Sequence, residues 1–345
     1  MAIRKNLAMA PCISFLAACL FSVSVQADTV ANFYKGKTVT IIVAAKAGGG
    51  HHKWSLFLSP YWEKYMPGNP NFITQNMGGA GGTKAANYLY NRSSQDGTAI
   101  GILLQDTPFA ARLRKTGIKY DPQRFQFIGG AERPQPAFVA LKEAGVKSLE
   151  DVKKKQVIIG SSGKGSQTYI LPKLANGMIG TKFKIVTGYR GMAGIYKAME
   201  SKEVYAFQAG YSSVALIRPH WIDQKRIEVL AVNSLKPLPG WENKKLFKDY
   251  VTDPTDKKIV ELIAGNDIIG RAWLAPPGVP KARLEALRAS FKAIFSDEDA
   301  LANAKKRKMD FGYVDWRGQQ EHATNLSTAH DKLFDRVRYL MSLKN

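Results

Sequence analysis

The sequence predicts an α/β protein built from two similar halves, each with a largely parallel sheet. Short β-branched runs alternate with amphipathic helical patterns along the chain, which is typical of strand–helix–strand units. The pattern also restarts midway, because "TVTIIVAAKAGGG" and "KQVIIGSSGKGS" each lead from a strand into a glycine turn and then a helix. Ligands of open α/β sheets bind beyond the carboxyl ends of the strands, so we expect a cleft between two lobes.

The first half is predicted to contain four strands, at 39–45, 71–75, 99–104 and 125–128. Apolar residues recur at helical spacing from Trp54 to Tyr65, and Pro67-Gly68 ends this helix. A glycine turn at 78–82 leads into a second, short helix.

The second half begins after a strand at 137–141, with a capping pattern at Ser148 and Asp151. Residues 233–266 read as loops and short helices, and a helix then starts at Pro280. The remaining predicted elements are strands at 156–160 and 226–232, a strand–turn–helix–strand run over 183–210, and a closing helix at 329–343. These elements suggest that 28–141 plus 268–345 form lobe I and 142–267 form lobe II.

The first 27 residues have the pattern of a secretory signal peptide. Arg4 and Lys5 precede an apolar stretch that ends at Val25-Gln26-Ala27, a small-x-Ala cleavage pattern. Cleavage after Ala27 predicts a periplasmic protein. The alternative is lipoprotein processing at Cys19, but the residues that follow this cysteine stay apolar.

Charge and cysteine content narrow the function classes. The formal net charge is +22, but the basic residues are scattered along the chain, so we expect no nucleic-acid partner and a field that attracts small anions or an acidic partner. Both cysteines, Cys12 and Cys19, lie in the predicted signal peptide. The mature chain is therefore expected to have no disulfide and no cysteine nucleophile.

Four glycine turns follow predicted strands, at 48–50, 78–83, 161–166 and 188–191. Each offers backbone N–H groups beside the start of a helix, which is an arrangement that suits an oxyanion. Tyr189-Arg190 in the last turn is a candidate carboxylate clamp, because arginine presents a planar pair of donors.

Other chemistries have weaker support in the sequence. "GGGHHK" breaks the dinucleotide pattern at its third glycine, and "GSSGKGS" lacks the lysine–serine order of a phosphate loop. The adjacent His51 and His52 point in different directions, so we expect no metal site and no cofactor. No G-x-S-x-G elbow is present, although a serine with a distant base leaves an enzyme as an alternative.

Five ordered segments, "KTVTIIVAAKAGGG", "FITQNMGGAGGTKAANYLYNRSSQDGTAIGIL", "VIIGSSGKGSQTYILPKL", "GYRGMAGIYKAM" and "WLAPPGVP", resemble the Bug family. These are periplasmic receptors of tripartite tricarboxylate transporters, and the resemblance runs from about residue 37 to the C-terminus. It implies a type II periplasmic-binding-protein fold, in which two lobes joined by two crossovers close over an organic anion. It also implies membrane permease subunits as partners, or a sensor kinase instead.

The resemblance also implies which residues contact the ligand. In the first lobe they are Gly49, Gly50, His51, Gly81, Gly82, Thr83 and Gln105, and in the second lobe Ser162, Gly165, Ser166, Tyr189, Arg190 and Gln208.

The chain departs from the family pattern at two of these places. His51-His52 stands where the family usually has a Thr-Asp type pair, which favours anions and predicts pH-sensitive affinity if His51 contacts the ligand. Gln208-Ala209-Gly210 stands where an aspartate often follows the strand. Both departures argue against an amino-acid ligand. Trp54 or Tyr211 could stack on an aromatic acid, although core packing explains Trp54 equally well.

The expected function is capture of a di-, tri- or aromatic carboxylate by a monomeric periplasmic receptor that closes like a hinge, without catalysis. A receptor of the same fold that serves a sensor kinase is the first alternative, and a periplasmic hydrolase or lyase is the second.

Overall fold

The structure, a computed structural model, describes residues 29–114, 116–132, 136–238 and 240–343. The predicted signal peptide and the alternative lipidation at Cys19 lie outside these residues. Among the described residues, no helix is both long and apolar enough to cross a membrane.

The elements follow the predicted alternation of strands and helices. Up to the first change of lobe they are α1 (29–34), β1 (Thr38–Val43), α2 (Gly50–Tyr65), β2 (Asn71–Asn76), α3 (Thr83–Asn91), β3 (Ala99–Ile102), α4 (Thr107–Leu113) and β4 (Gln126–Gly130). The middle of the chain forms β5 (Pro136–Leu141), α5 (Leu149–Lys154), β6 (Val157–Ser161), α6 (Gln167–Ile179), β7 (Phe183–Thr187), α7 (Met192–Glu200), β8 (Ala206–Gly210), α8 (Ser212–Ile217), α9 (Pro219–Asp223), β9 (Ile227–Val232) and α10 (Pro254–Ala264). The last part forms β10 (Ala272–Ala275), α11 (Lys281–Ala293), α12 (Glu298–Lys306), α13 (Trp316–Thr328) and α14 (Asp331–Ser342).

The two lobes are built on two five-stranded sheets with the same plan. The strand orders are β2-β1-β3-β10-β4 in lobe I and β7-β6-β8-β5-β9 in lobe II. In each sheet the first three strands are parallel, and the fourth runs antiparallel to both of its neighbours. That antiparallel strand, β10 or β5, is the one that arrives from the other lobe. The two-lobed α/β fold is confirmed, and the sheets are mixed because of the crossing strands.

The pairing of β5 moves the lobe boundary that the sequence suggested. β5 lies between β8 and β9 in the second sheet, and its Phe138 packs in the lobe II core. Lobe II therefore starts at the connection between β4 and β5, rather than after residue 141. The apolar sequence of β5 is compatible with either sheet, because a strand buried on both faces has the same apolar pattern in lobe I as in lobe II.

The closing helix α14 packs mainly on lobe II, with smaller contacts to α4 of lobe I such as the Phe109–Phe334 ring pair, although the sequence assigned 268–345 to lobe I. Its buried residues Phe334, Val337 and Leu340 pack in the cluster that contains Leu171 of α6. Gly177 of α6 lies directly beneath Leu340, since a Cβ on this glycine would come within 2.9 Å of that side chain. The chain thus passes between the lobes a third time, between α13 and α14.

The first two crossovers, here called the hinge, lie side by side. The N–H of Arg271 donates to the carbonyl of Glu132 at 3.2 Å, and the N–H of Ala131 donates to the carbonyl of Arg271 at 3.2 Å. Gly270 has φ +58°, and a Cβ there would lie 2.5 Å from the Glu132 carbonyl oxygen. Only glycine permits the two strands to run this close.

The capping box predicted at the start of α5 is present. Ser148 Oγ accepts from the N–H of Asp151 at 3.3 Å, and the carboxylate of Asp151 accepts from the N–H of Ser148 at 3.1 Å. This reciprocal pair satisfies N–H groups that have no partner within the helix.

Candidate functional site

A cavity of about 420 Å³ lies between the lobes. Its wall is made by the turns that follow the three parallel strands of each lobe: β1, β2 and β3 in lobe I, and β6, β7 and β8 in lobe II. Arg271 of the hinge completes the wall. The cleft therefore lies where the repeated strand–turn–helix plan predicts it, at the carboxyl ends of both sets of parallel strands.

Eleven of the thirteen residues suggested by the sequence line this cavity. They are Gly49, Gly50, His51, Gly81, Gly82, Gln105, Ser162, Ser166, Tyr189, Arg190 and Gln208. Thr83 and Gly165 do not line it. The structure thus gathers most of the candidates around one space, while ligand contact by each of them stays a prediction.

Thr83 and Gly165 have structural partners instead. The Thr83 hydroxyl accepts a hydrogen bond from Arg114 Nη1 at 2.8 Å, within lobe I. Gly165 lies against Gly81 of the opposite lobe, and a Cβ on Gly81 would come within 2.9 Å of the Gly165 carbonyl carbon. The glycine turns of the two lobes are therefore in backbone contact across the cleft.

Arg271 is the centre of a buried polar cluster at the hinge. Its side chain is 6% exposed and forms an ion pair with Glu132, whose carboxylate accepts from Arg271 Nε at 2.6 Å. Glu132 Oε1 also accepts from the Ser212 hydroxyl of lobe II at 3.1 Å. Burial raises the pKa of Glu132, and the adjacent guanidinium opposes this. The pair joins both hinge strands and lobe II.

The third glycine of the "GGG" turn is packed against the same arginine. A Cβ on Gly50 would lie 3.3 Å from Arg271 Nη1, closer than side chains normally approach. The residue that comes near this glycine is therefore Arg271 of the protein, which places the guanidinium beside the start of α2.

His51 lines the cavity in its neutral form. Arg271 Nη1 lies 3.2 Å from His51 Nδ1, and because arginine only donates, Nδ1 must be the acceptor. Burial and then the positive charge of Arg271 hold the pKa of His51 well below its usual value, against a hydrogen bond with the Leu103 backbone. Arg271 therefore supplies positive charge beside His51, and pH-sensitive affinity through His51 stays a prediction.

Asp106 places a carboxylate in the cavity wall that the sequence analysis did not identify. It is 3% exposed, and its Oδ2 accepts from the backbone N–H of Gln167 at 2.8 Å. Burial raises the pKa of Asp106 to about 7, opposed by N–H donors from its own backbone and from Gln167. The first N–H of α6 in lobe II is thus bound by an anion of lobe I.

The neighbouring Gln105 joins the same contact. Its Nε2 donates to Gln167 Oε1 at 3.1 Å, so two consecutive residues of lobe I bind one residue of lobe II. Gln208, on β8, completes a group of three glutamines in the cavity wall.

Two exposed cations stand at the solvent edge of the cavity, one from each lobe. Lys46 follows β1 and Arg190 follows β7. The Tyr189 hydroxyl donates to Glu203 at 2.6 Å, which holds the ring of this residue in the wall. Positive charge at the entrance attracts anions from solution.

The aromatic stacking candidates lie elsewhere. Trp54 is 1% exposed and stacks on Phe311 in the lobe I core, with ring centroids 6.2 Å apart. Tyr211 packs edge-on against Trp241 at 4.6 Å. Neither residue lines the cavity, and His52 does not line it either. Tyr189 is the aromatic residue that does.

The charged residues that the sequence analysis missed come from distant parts of the chain: Lys46, Asp106 and Arg271 in the wall, with Glu132 behind them. Uncharged wall residues such as Gln167 were missed as well. A usable signal existed for two of the charged residues, because "GGAER" and "GRAW" each place a charge directly beside an apolar strand. A charge in that position needs a buried partner. Over the described ranges, no three His, Cys, Asp or Glu residues group in a way that could hold a metal ion.

Comparison with solved structures shows the fold. The chain is similar to "periplasmic binding protein BugD", with a TM-score of 0.69 and 20% identity over 88% of this chain and 98% of that one. It is similar to "R. palustris Rpa4515 with adipate", with a TM-score of 0.66 and 18% identity over 88% and 97% of the two chains. It is also similar to "MatC (Rpa3494) from Rhodopseudomonas palustris with bound malate", with a TM-score of 0.64 and 18% identity over 89% and 99%.

No protein-family model matches the chain, and no curated protein matches it. The comparisons therefore establish that this chain has the two-lobed fold of periplasmic binding proteins, as the resemblance implied.

Proposed function

We propose that this chain is a periplasmic solute-binding protein of the Bug type, which captures a small organic carboxylate between its lobes for a tripartite tricarboxylate-type transporter. The observation that carries the proposal is the cavity walled by three strand-following turns from each lobe, with Arg271 at the hinge. Structural neighbours described as having adipate and bound malate support a carboxylate as the ligand class.

The carboxylate is expected at the start of α2. The first N–H groups of a helix have no acceptor within it, and they carry the positive end of the helix dipole. α2 begins at Gly50 in the cavity wall, and the Arg271 guanidinium lies against that residue. The corresponding position on α6 is already bound by Asp106. The two helix starts therefore differ, because the start of α2 faces the cavity without a carboxylate of the protein bound to it.

Closure of the lobes would then favour binding over release. Lys46 and Arg190 stand on opposite lobes at the entrance, so an anion in the cavity is attracted by both when the cleft closes. A ligand that contacts both lobes stabilises the closed state by its extra affinity for that state.

A thermal-shift screen of carboxylates, aromatic acids and amino acids tests the proposal. A ligand at a hundred times its dissociation constant stabilises a protein by about 2.7 kcal/mol, which is readily seen as a rise in melting temperature. If no carboxylate raises the melting temperature, the proposed ligand class is wrong.

Two charge variants test whether a cation in the cavity wall contributes to binding. Arg190→Gln removes a cation from the cavity wall, whereas Lys164→Gln removes an exposed cation from the adjacent lobe II turn, outside that wall. Both lower the net charge by one, so a general effect of charge would weaken binding equally. We expect Arg190→Gln to weaken binding of the carboxylate more than Lys164→Gln does.

Three cellular and chemical readouts separate transport from the alternatives. Loss of ligand uptake on deletion of this protein supports transport. Unchanged uptake with a lost transcriptional response supports a receptor for a sensor kinase. Recovery of a changed ligand after long incubation with the purified protein would identify a hydrolase or lyase.

A further inference from the structure

Gln208 lies at the lobe II end of the cavity, on the side of the sheet that α6 covers. It pairs with Phe138 of β5, and paired residues on antiparallel strands point to the same face. Phe138 and Ala206 pack in the same cluster as Leu171 of α6. The Gln208 side chain therefore extends beneath the first turns of α6, in the cavity wall.

The amide of Gln208 is buried without a hydrogen bond. The residue is fully buried, and neither Nε2 nor Oε1 has a partner among the described residues. Each atom presents less than 1 Å² of surface, so bulk solvent does not satisfy it. A buried donor or acceptor left unpaired lowers stability, so such groups in proteins are nearly always paired. An unpaired donor and acceptor thus lie at the cavity wall without open surface, so a ligand pairs with them only if the Gln208 side chain turns toward it.

A second amide in the same wall, that of Gln167, is hydrogen-bonded through only one of its two polar atoms. Gln167 is 7% exposed, and its Oε1 accepts from Gln105, while its Nε2 has no partner within the described part of the chain. The lobe II end of the cavity thus offers two unpaired amide nitrogens and one unpaired amide oxygen. These groups are neutral, so they discriminate by hydrogen bonding rather than by charge.

The carboxyl group of Asp106, which is negatively charged above its pKa of about 7, already lies at the start of α6. The Asp106 carboxylate binds the first N–H of α6, at the position where a helix start would otherwise attract an anion. A second carboxylate of a ligand at this end would meet Asp106 and would leave Gln208 Oε1 without a donor. The two ends of the cavity therefore differ: Arg271 lies at the start of α2, and neutral amides with a carboxylate lie at the start of α6.

Building on the proposed function, we propose that the ligand is a monocarboxylate whose other end carries a neutral amide, which pairs with Gln208 as both donor and acceptor. An amide presents N–H and C=O side by side, so it satisfies both atoms of Gln208 with two parallel hydrogen bonds. Gln208 is then the residue that determines specificity for the end of the ligand remote from its carboxylate.

Matched probes of equal length test this proposal by calorimetry. For chains of four to six carbons, each dicarboxylate is compared with its monoamide, with the methyl ketone that replaces NH₂ by CH₃, and with the ω-amino acid. We expect the monoamide of the best length to bind at least about tenfold more tightly than the ketone and the dicarboxylate, because each of these leaves a buried atom of Gln208 unpaired. Tighter binding of the dicarboxylate or the amino acid would overturn the inference but leave the proposed function standing. Binding of none of the probes or of the other carboxylates would overturn both.

Variants assign the selectivity to Gln208. Gln208→Leu and Gln208→Met are expected to abolish the difference between monoamide and ketone, and without ligand to melt no lower than the unsubstituted protein, because they remove two unpaired polar atoms. The control is Asn233→Leu, which removes another buried and unpaired amide outside the cavity wall and should leave the selectivity unchanged. Retained selectivity in both Gln208 variants, or a clear loss of stability in both, would show that the amide is satisfied within the fold and would overturn the inference.

Discussion

The backbone N–H of Gln167 in lobe II donates a hydrogen bond to Oδ2 of Asp106 in lobe I, across the cleft, at 2.8 Å. The two residues are 61 positions apart and belong to different sheets, so this bond joins the two lobes. The Asp106 side chain is also buried here. Under the proposed hinge closure, the contact would link the position of the lobes to the protonation of one residue.

Closure of the lobes should depend on pH below neutrality. In the closed form burial raises the pKa of Asp106 to about 7, whereas a solvent-exposed carboxyl in an open cleft has its ordinary value near 3.8. The closed form then binds more protons between these values. The free energy of closing becomes more favourable as pH falls from 7, by up to about 1.4 kcal/mol per pH unit. Above pH 7 it does not depend on pH. X-ray scattering at pH 5 to 8 should show a smaller radius of gyration at the acidic end.

Asp106→Asn is the control for this dependence. The asparagine oxygen still accepts from Gln167, but the side chain does not titrate, so the radius should become independent of pH. His51, which also lines the cavity, is neutral over this range because its pKa is held well below its usual value. A radius that is constant with pH in the unsubstituted protein would contradict the prediction.

Gly81→Ala should prevent full closure. The new Cβ would lie 2.9 Å from the carbonyl carbon of Gly165, which is backbone and has little freedom to move aside. We expect affinity for the carboxylate found by the screen to fall by about tenfold or more, with scattering showing a more open protein. Gly48→Ala is matched for backbone strain, with φ +84° against +62° for Gly81, but meets no atom within 4 Å. Equal losses in both variants would assign the effect to strain alone.

The Arg271–Glu132 pair should behave as one unit in unfolding experiments. Removing one partner, as in Glu132→Gln, leaves a buried charge uncompensated. It is expected to lower the free energy of unfolding by about 3–5 kcal/mol. Replacing both, as in Glu132→Leu with Arg271→Met, removes both charges and should cost less than either single change. A double-mutant cycle in urea measures the coupling, and additive losses would argue that the two side chains act independently.

Asp297 should make the protein sensitive to strong acid. Its carboxylate accepts from Lys64 and from the Tyr65 hydroxyl at 2.7 Å each and caps α12 through the N–H of Ala300 at 2.8 Å. These bonds hold the pKa of Asp297 at about 2, so its contribution is complete above its ordinary pKa and is lost as pH falls from about 4 to 2.

Asp297→Ala should therefore lower stability at pH 7 by about 2 kcal/mol, with the difference shrinking below pH 3. Lys64→Ala, which removes a largely exposed partner, should change stability little. Urea unfolding of both variants across this pH range checks the prediction. A difference that persists at pH 2 would show that the carboxylate charge is not responsible.

Most strands, helices and glycine turns could be predicted from the sequence, because each depends on residues close together in the chain. The alternation of apolar residues located β1 and α2, and the repeated glycine turns indicated the cleft. Lobe membership of β5 and α14 was not predictable in this way. Both are apolar elements that fit either core, and only pairing with distant strands or helices decides between them.

The charged residues of the site could not be predicted from local sequence patterns either. Glu132 and Arg271 are separated by 139 positions and become partners only at the hinge. Asp106 precedes Thr107-Pro108, so locally it resembles a helix cap, yet its carboxylate binds the start of α6 on the other lobe. Gly50 was predicted to contact the ligand, and the neighbour that the structure shows is the Arg271 side chain of the protein.

The third passage between the lobes leaves the two ends of the described chain on different bodies. Val30 and Tyr34 of α1 pack in the lobe I core, whereas α14 is held by lobe II. Hinge closure of the proposed kind would therefore change the distance between these two ends. Donor and acceptor fluorophores fused to the two ends would report occupancy of the cavity as energy transfer, so this chain already has the layout of a genetically encoded sensor for its own ligand.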